Sequence, residues 1–453
     1  MSFESRNPTT GELIARYAQH TPAQVEACLE RAWSGWQSWS AAPLAERTAF
    51  LDRLARALEA RADEFARLIT LEMGKPLAEA QAEVKKAAFG ARHFATVGPS
   101  YIEPQEIAGT PGQVIFQPLG PILGIMPWNL PFWQVLRFFI PAALVGNTVL
   151  VKHAESVQGC ALALQQLVRE AGGPEGLYVN LMVDRASVGK LVADPRIRAV
   201  TVTASVAAGR AMAALAGQHS KKVVLELGGS DPFIVLEDAD LGRAVQLGVT
   251  ARFANNAQSC IAAKRFLIAA PLYEEFTARF VAAVRELVVG DPMHGATRLG
   301  PLARADLRET VQRQVADAVR QGARILTGGR SLPGAGYFFE PTVLAGLPHE
   351  APIMAEECFG PVAPLFAFAG DEQAIQLANA TQYGLGAAVW SRDLARARRM
   401  AARIEAGAVF INDLVRSDPR APFGGVKDSG FGRELGALGA RELANAKLLW
   451  QGQ

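Results

Sequence analysis

Residues 222–236 of the 453-residue chain read KVVLELGGSDPFIVL, and this stretch decides how the fold is divided. It holds two apolar runs of strand length, separated by Gly228 and Gly229. Short apolar runs bounded by glycine are typical of strands that are buried on both faces of a sheet. We therefore expect two α/β units to meet at residues 226–231, through a short hinge between packed domains.

The same alternation of short apolar runs and helical patterns continues on both sides of this stretch. Such alternation predicts βαβ units and parallel sheets. Before the hinge, the predicted strands are residues 122–126, 148–152, 178–183, 199–203 and 222–227. After the hinge, they are residues 233–236, 265–269, a run near Ile325, 362–368, 387–390 and 408–411. The first hundred residues are predicted to be helical, with Thr21 and Pro22 as the start signal of the first helix.

Composition and charge restrict the class of protein. The chain has 46 basic and 44 acidic residues and a formal net charge of +2, which gives no electrostatic basis for binding nucleic acid. Hydrophobic residues make up 50% of the chain, as in ordinary globular proteins. Residues 107–136 carry no charge, but their five prolines would break a membrane-spanning helix, so we expect no membrane segment. The N-terminal residues do not resemble a secretion signal, and we expect a cytoplasmic protein.

The pattern of cysteines and histidines gives no support to metal or disulfide chemistry. The four cysteines are far apart and form no CxxC pair, and the six histidines show no metal-binding spacing. The sequence also lacks the P-loop, the GxSxG nucleophile elbow and the GxGxxG dinucleotide motif. We therefore predict no bound metal. Because these motifs are absent, they give no indication of a cofactor.

Three polar residues stand in unusual surroundings. Cys260 follows the polar segment 255–259, just before an apolar strand, where a thiol can reach a substrate. Glu226 ends a strand of the opening stretch, and Asn129 lies in a turn between two prolines. Each residue also has a purely structural interpretation. Cys260 could be a buried thiol, Glu226 a charged strand end that faces solvent, and Asn129 a turn former.

Together these three side chains provide what acyl chemistry on an aldehyde requires. A thiolate attacks the carbonyl carbon, an amide N–H stabilises the oxyanion, and a carboxylate accepts a proton. The same groups also serve hydrolysis of an ester or thioester without a cofactor. Both reaction classes therefore stay open at this point.

Seven segments, in order along essentially the whole chain, resemble the aldehyde dehydrogenase superfamily. The sequences LELGGSDPF at 225–233 and AAKRF at 262–266 are similar to its succinate-semialdehyde dehydrogenase branch. The seven segments are MPWNLP (126–131), VKHAE (151–155), TVTAS (201–205), LELGG (225–229), NNAQSC (255–260), EECFGP (356–361) and PFGGVKDSG (422–430).

The resemblance implies a role for each candidate residue. Cys260 is the nucleophile, Glu226 the general base that activates water, and Asn129 a donor of the oxyanion hole. Two positions depart from the family pattern, because Ala204 and Ala257 stand where glycine is usual, and this restricts the backbone near cofactor and nucleophile. The residues that the resemblance implies for NAD(P) binding are Trp128, Lys152, Glu155, Ser205, Glu357 and Phe359.

The resemblance also points to residues that select the substrate and the cofactor. Arg137 matches an arginine of the substrate tunnel, and Ser417 resembles a second contact to the carboxylate of a short carboxylated aldehyde. A local ion pair is the alternative role for Arg137. Glu155 is expected to repel a 2′-phosphate and so to favour NAD, whereas Lys152 could pair with that phosphate and allow NADP.

The expected activity is NAD(P)-dependent oxidation of succinate semialdehyde or a similar short carboxylated aldehyde to the acid. NADP-preferring oxidation of another aldehyde and cofactor-independent ester or thioester hydrolysis are the alternatives. The expected fold is α/β, with a Rossmann-like cofactor-binding domain at 1–100 and 118–228, an α/β catalytic domain at 229–420, and a small β oligomerisation element at 101–117 and 436–453. The resemblance implies a homodimer or a homotetramer.

Overall fold

The computed structural model of the chain describes residues 2–452, in which strands and helices alternate along most of the sequence. The strands are β1 (Ser2–Arg6), β2 (Leu13–Ala18), β3 (Gln105–Glu106), β4 (Gly112–Pro118), β5 (Ile122–Ile125), β6 (Val149–Lys152), β7 (Tyr178–Asn180), β8 (Ala199–Thr203), β9 (Lys222–Glu226), β10 (Asp231–Val235), β11 (Ala263–Ala269), β12 (Arg324–Thr327), β13 (Thr342–Ala345), β14 (Val362–Phe368), β15 (Gly386–Trp390), β16 (Ala408–Ile411), β17 (Gly430–Phe431) and β18 (Ala444–Trp450). The helices are α1 (Pro22–Ala41), α2 (Leu44–Ala60), α3 (Ala62–Met73), α4 (Leu77–Thr96), α5 (Gly98–Tyr101), α6 (Trp133–Val145), α7 (Gln158–Glu170), α8 (Val188–Ala193), α9 (Val206–Gln218), α10 (Leu241–Phe253), α11 (Tyr273–Arg285), α12 (Ala305–Arg320), α13 (Pro352–Ala355), α14 (Gly370–Asn379), α15 (Leu394–Ala401) and α16 (Gly436–Glu442).

The first large sheet has six strands in the order β17-β9-β8-β5-β6-β7, and all neighbours are parallel except β17 and β9. Apolar side chains project from both of its faces. In β6, Val149 and Val151 pack into one core cluster, whereas Leu150 packs into another. A parallel sheet covered by helices on both sides requires this pattern, because neither face meets water.

The second large sheet has seven strands in the order β12-β13-β14-β11-β10-β15-β16, and only β12 and β13 pair antiparallel. The chain leaves the first sheet at Glu226 and enters the second at Asp231. The two apolar runs of the opening stretch thus belong to different sheets, and the α/β fold class is confirmed.

A third sheet is antiparallel, with the order β18-β4-β3. Strand β4 pairs with β18 along its whole length, from Pro118 with Ala444 to Gly112 with Trp450. Residues 436–442, which belong to the predicted oligomerisation element, form α16, which contacts α5 and α6.

The start of the chain differs from the prediction in one respect. Helix α1 begins at Pro22 as predicted, since the Thr21 hydroxyl accepts a hydrogen bond from the Gln24 N–H at 3.3 Å and the Gln24 side chain accepts one from the Thr21 N–H at 2.8 Å. The prediction that everything before residue 100 is helical is wrong for β1 and β2, which form an antiparallel pair. These strands have five and six residues and are partly exposed, so they lack the continuous apolar run by which the buried strands were predicted.

The uncharged stretch 107–136 forms β4, β5 and the first turn of α6. Helix α6 is buried along its entire length. Within residues 2–452, no helix has the length and apolar character needed to cross a membrane.

Candidate active site

Cys260 lies in a sharply bent loop between α10 and β11. Asn255, Asn256 and Ala257 all have positive φ values, of 57°, 54° and 58°. Asparagine tolerates this left-handed region, whereas alanine is strained there because of its Cβ atom. Contacts with other segments stabilise this loop conformation. For example, the Asn256 side chain donates a hydrogen bond to the Gly74 carbonyl at 2.7 Å. The loop leaves Cys260 half-buried, while the other three cysteines are buried.

Asn129 lies directly against this loop. Its side-chain amide donates a hydrogen bond to the Gln258 carbonyl at 2.9 Å, and its backbone carbonyl accepts one from the Asn255 side chain at 3.0 Å. The structure therefore brings Asn129 and Cys260 together, although they are far apart in the sequence. An amide has two N–H groups, so the second is available to an oxyanion formed at Cys260.

Glu226, the last residue of β9, is a buried carboxylate without a hydrogen-bond partner among residues 2–452. Burial raises the pKa of Glu226 to about 8, against the lowering effect of Arg137. Glycine is required opposite it, because a Cβ atom on Gly424 would lie 2.8 Å from the backbone carbonyl oxygen of Gly432, as well as 2.7 Å from Glu226 Oε1. A carboxylate with free oxygens and a raised pKa is suited to accepting a proton from water near neutral pH.

The thiol of Cys260 needs help to ionise. Burial raises its pKa to about 11, although Arg137 and Lys264 act in the opposite direction. Glu226 also acts on this pKa, so the two reactive groups are electrostatic neighbours. Because the thiol is mostly protonated at neutral pH, its attack on a carbonyl requires a base.

Lys264, which the sequence analysis did not single out, holds the nucleophile loop. Its buried ammonium donates hydrogen bonds to the backbone carbonyls of Ser259 at 2.9 Å and Cys260 at 2.6 Å. It also pairs with Glu357 at 3.3 Å, and Glu357 accepts a hydrogen bond from the Gly229 N–H at 3.1 Å. Lys264 thus connects the nucleophile loop, the segment between β9 and β10, and a glutamate predicted to bind the cofactor.

Arg137, which the resemblance places in the substrate tunnel, has a carboxylate partner within the chain. Its side chain is 2% exposed and forms an ion pair with Glu434. The guanidinium also lies 4.6 Å from the centre of the Phe423 ring and donates to the Thr203 hydroxyl at 3.4 Å. Glu434 is thus the local carboxylate of the alternative role, and the contact of Arg137 with a substrate carboxylate stays a prediction.

Ser417 lies beside a different cation. Its hydroxyl oxygen accepts hydrogen bonds from Lys86 Nζ at 2.8 Å and from the indole N–H of Trp133 at 2.9 Å. Lys86 Nζ also lies 4.7 Å from the centre of the Trp133 ring.

A cleft with a cavity volume of about 910 Å³ opens beside the first sheet. Phe359, which is not part of its lining, packs edge-on against Trp128 with ring centroids 5.8 Å apart. Most of the predicted cofactor residues therefore share one location. Those that line the cleft are Trp128, Lys152, Glu155 and Ser205.

The lining of this cleft fits a dinucleotide. Helix α9 has 13 residues and begins directly after Ser205, whose hydroxyl makes no capping hydrogen bond. A helix N-terminus with a free hydroxyl is a suitable site for a pyrophosphate. On the same lining, Lys152 and Glu155 lie 3.8 Å apart and offer a donor and an acceptor to ribose hydroxyls. In the described part of the chain, no group of three or more His, Cys, Asp or Glu side chains is placed to hold a metal ion.

These features define a class of protein: oxidoreductases that hold the substrate covalently on cysteine while a dinucleotide lies in the adjacent cleft. Comparison with known proteins gives the family. The model of the aldehyde dehydrogenase family matches residues 1–449. The chain belongs to this family, which confirms the predicted family, fold and enzyme class.

Individual relatives are similar over nearly their whole length. The chain is 46% identical over 449 residues to the succinate semialdehyde dehydrogenase (NAD(P)+) Sad of Escherichia coli, covering 99% of this chain and 97% of the relative. It is 45% identical over 449 residues to the succinate-semialdehyde dehydrogenase (NADP+) of Deinococcus radiodurans, covering 99% and 94%. The crystal structure of succinic semialdehyde dehydrogenase from Streptococcus pyogenes in complex with NADP+ has a TM-score of 0.97 at 35% identity and covers 100% of both chains.

Sequence reasoning missed Lys86, Lys264 and Glu434. A signal for Lys86 was present, because it lies at helical spacing between Glu83 and Gly90, which are both buried in α4. A lysine on the inner side of a helix is uncommon unless it has a partner or a function. No comparable signal distinguished Glu434.

Proposed function

We propose that the chain oxidises succinate semialdehyde, or a similar short carboxylated aldehyde, to the acid with NAD(P). The observation that carries the aldehyde chemistry is the Asn129 amide held against the Cys260 loop, with the unpartnered Glu226 carboxylate as an electrostatic neighbour of the thiol. The relatives named as succinate-semialdehyde dehydrogenases support the carboxylated substrate.

The geometry assigns one task to each residue. The Cys260 thiol first gives its proton to solvent water, and the sulfur then adds to the aldehyde carbon, while the free N–H of the Asn129 amide stabilises the resulting oxyanion. After oxidation, the acyl group remains on sulfur as a thioester. Glu226 takes a proton from a water molecule that attacks this thioester; the C–S bond breaks, the acid leaves, and the Cys260 sulfur takes up a proton again.

The cofactor residues have a positioning role. When bound, NAD(P) accepts the hydride from the substrate carbon. The Ser205 end of α9 would hold its pyrophosphate, and Lys152 with Glu155 would hold a ribose. Trp128, Glu357 and Phe359 would orient the nicotinamide end, next to Lys264 and the nucleophile.

The proposed activity predicts a preference for an anionic aldehyde. With purified protein and NAD or NADP, we expect kcat/KM for succinate semialdehyde to exceed that for butanal, the neutral four-carbon aldehyde, by about tenfold or more, because a charge-assisted contact contributes that much. Absorbance of the reduced nicotinamide measures both rates. Equal rates for the two aldehydes would contradict the carboxylated substrate, and ester cleavage without any reduction of cofactor would favour the hydrolase instead.

We infer that NAD is preferred over NADP. Glu155 lies 3.8 Å from Lys152, so the nearest cation available to a 2′-phosphate already has a carboxylate partner. A phosphate entering there would meet the negative charge of Glu155. Arg185 also lines the cleft and gives a reason for some activity with NADP.

Glu155→Ser tests this preference. We expect the ratio of kcat/KM with NADP to that with NAD to rise by about 10- to 100-fold, because repulsion is removed and Lys152 becomes free. Asp306→Ser is the matched control, since it removes another acidic side chain from the cleft lining, one paired with Arg304. If the ratio stays at the wild-type value in Glu155→Ser, Glu155 does not repel the 2′-phosphate of NADP.

We also infer a homodimer or homotetramer. Strand β18 exposes large apolar side chains, with Leu448 54% and Trp450 58% exposed. A strand of this kind at the edge of a small sheet is suited to pairing with another chain. Sedimentation equilibrium of the native protein measures the assembly directly.

A further inference from the structure

The buried ammonium of Lys264 has no hydrogen left for a ligand. The side chain is 1% exposed, and Nζ lies 2.9 Å from the Ser259 carbonyl oxygen, 2.6 Å from the Cys260 carbonyl oxygen and 3.3 Å from the Glu357 carboxylate. An ammonium has three N–H groups, so each acceptor takes one of them. Nζ also lies 5.9 Å from the centre of the Phe359 ring. Lys264 therefore acts on the reaction through these neighbours and not by binding the substrate.

One of the two carbonyl groups belongs to the peptide group that also carries the Cys260 N–H. The Ser259 carbonyl oxygen accepts hydrogen bonds from Lys264 and from the Ala262 N–H, the latter at 3.2 Å. Hydrogen bonds to the oxygen of a peptide group polarise it and strengthen its N–H as a donor, and a charged donor does so most. Within residues 2–452, the Cys260 N–H itself has no acceptor. This N–H is thus suited to stabilising an oxyanion together with the Asn129 amide.

The charge of Lys264 also acts on the Cys260 sulfur. Burial raises the pKa of this thiol to about 11, against the lowering effects of Arg137 and Lys264. The carboxylates of Glu357 and Glu226 raise this pKa as well. Lys264 and Glu357 thus act on the thiol with opposite signs, although they form one ion pair. The balance between these two charges therefore affects how readily Cys260 ionises.

Asp231, the first residue of β10, is another acidic group that Lys264 influences. Its carboxyl is buried, and burial raises its pKa to about 7, whereas Lys264 lowers that pKa. One of its oxygens accepts a hydrogen bond from the Gly386 N–H at 3.1 Å. Because Asp231 changes its charge near pH 7, the effect of Lys264 on Cys260 is best measured at about pH 8.5, where Asp231 is ionised.

We propose that Lys264 is a positioning residue of the reaction. Through the Ser259 carbonyl, its ammonium strengthens the Cys260 N–H as a donor to the oxyanion, and its charge stabilises the Cys260 thiolate. Glu357 opposes the effect on the thiolate, because it is the counter-charge of Lys264. This inference rests on the proposed addition of the Cys260 sulfur to an aldehyde.

Alkylation of Cys260 by iodoacetamide, without cofactor or substrate, measures the effect on the thiolate. Lys264→Met keeps the length of the side chain but removes its charge and its N–H groups. At about pH 8.5, we expect this variant to be alkylated about three- to tenfold more slowly than wild type, because less thiolate is present. Mass spectrometry of the Cys260 peptide gives the rate. Lys222→Met, which removes an exposed lysine paired with Glu442 at 3.1 Å, is the control and keeps the wild-type rate.

Glu357→Gln is expected to have the opposite effect on alkylation. Glutamine still accepts a hydrogen bond from Lys264 but carries no charge, so alkylation of Cys260 should be about three- to tenfold faster than in wild type. A purely structural role would slow alkylation in both variants or in neither, because both change the same contact. This variant also tests the proposal if Lys264→Met does not fold. Alkylation at the wild-type rate in either folded variant, or a change of the same sign in both, would overturn the proposal.

The first turnover tests the effect on the oxyanion. At the same pH, with saturating NAD(P) and succinate semialdehyde, we expect Lys264→Met to lower the rate constant of cofactor reduction about 10- to 100-fold, since an oxyanion donor is weakened but not removed. This loss exceeds that of alkylation, which requires the thiolate but forms no oxyanion. Equal losses would refute polarisation of the peptide group between Ser259 and Cys260. A wild-type protein that reduces cofactor with no aldehyde would instead refute the proposed function, and alkylation would still test the role of Lys264.

Discussion

Replacement of Glu226 by glutamine is expected to stop the enzyme after about one turnover. Glutamine has nearly the same shape but cannot take a proton from water, so the thioester on Cys260 would persist. We expect a rapid burst of reduced cofactor of about one equivalent per active site. The steady-state rate that follows should be about 100- to 10,000-fold below wild type, which is the usual contribution of a general base. Stopped-flow absorbance measures both phases.

The pH dependence gives an independent check on this assignment. Since burial raises the pKa of Glu226 to about 8, the wild-type steady-state rate should rise with pH around that value, as the carboxylate loses its proton. The residual rate of Glu226→Gln should lack this rise. Glu103→Gln, which changes an exposed glutamate outside the site, serves as the control. If Glu226→Gln reduces the cofactor without a burst and at the wild-type steady-state rate, another group activates the water.

Replacement of Cys260 by serine is expected to abolish dehydrogenase activity, with a loss of at least about 1,000-fold in kcat. A serine hydroxyl is far less acidic than a thiol. Its oxygen is therefore a much weaker nucleophile towards the aldehyde carbon than the sulfur of Cys260. Because Asn129 and the cleft remain in place, cofactor binding should be unchanged, and fluorescence titration with NADH measures this. Cys260→Ser is therefore expected to lose activity while it keeps its affinity for the cofactor.

Cys28→Ser is the matched control for this substitution. Cys28 is buried on α1, and its sulfur accepts a hydrogen bond from Arg31 at 3.1 Å, which a serine oxygen can also accept. We expect this variant to keep its activity, and we expect a thiol-alkylating reagent to inactivate it as it does wild type. Measurable oxidation of aldehyde by Cys260→Ser at more than a few per cent of the wild-type rate would refute the covalent mechanism.

The large sheets were predictable because their signals are local. A strand buried on both faces needs consecutive apolar residues, so the runs at 199–203 and 222–227 were visible without any tertiary information. Strands β1 and β2 were missed since each is short and half-exposed, and only its partner determines that it is a strand. The Thr21 cap of α1 was predicted correctly because capping depends on residues within one turn.

The candidate site was predictable to a similar extent. Cys260, Glu226 and Asn129 were predicted because each stands in an unusual local context, and the structure places Asn129 against the Cys260 loop. The role of Lys264 could not be deduced, because it depends on the Cys260 carbonyl and on Glu357, which β11 and the loop before β14 bring together. Hydrogen bonds between distant segments leave no trace in a single sequence.

The sequence by itself predicted the α/β class, the two strand runs on either side of residues 227–230 and the candidate reactive side chains, since these follow from periodicity and from side-chain chemistry. The tertiary structure alone decided which counter-charge each buried cation meets. Arg137 forms an ion pair with Glu434, 297 positions away in the sequence. The physical reason is that the effect of a charge depends on its nearest counter-charge, and folding chooses that neighbour.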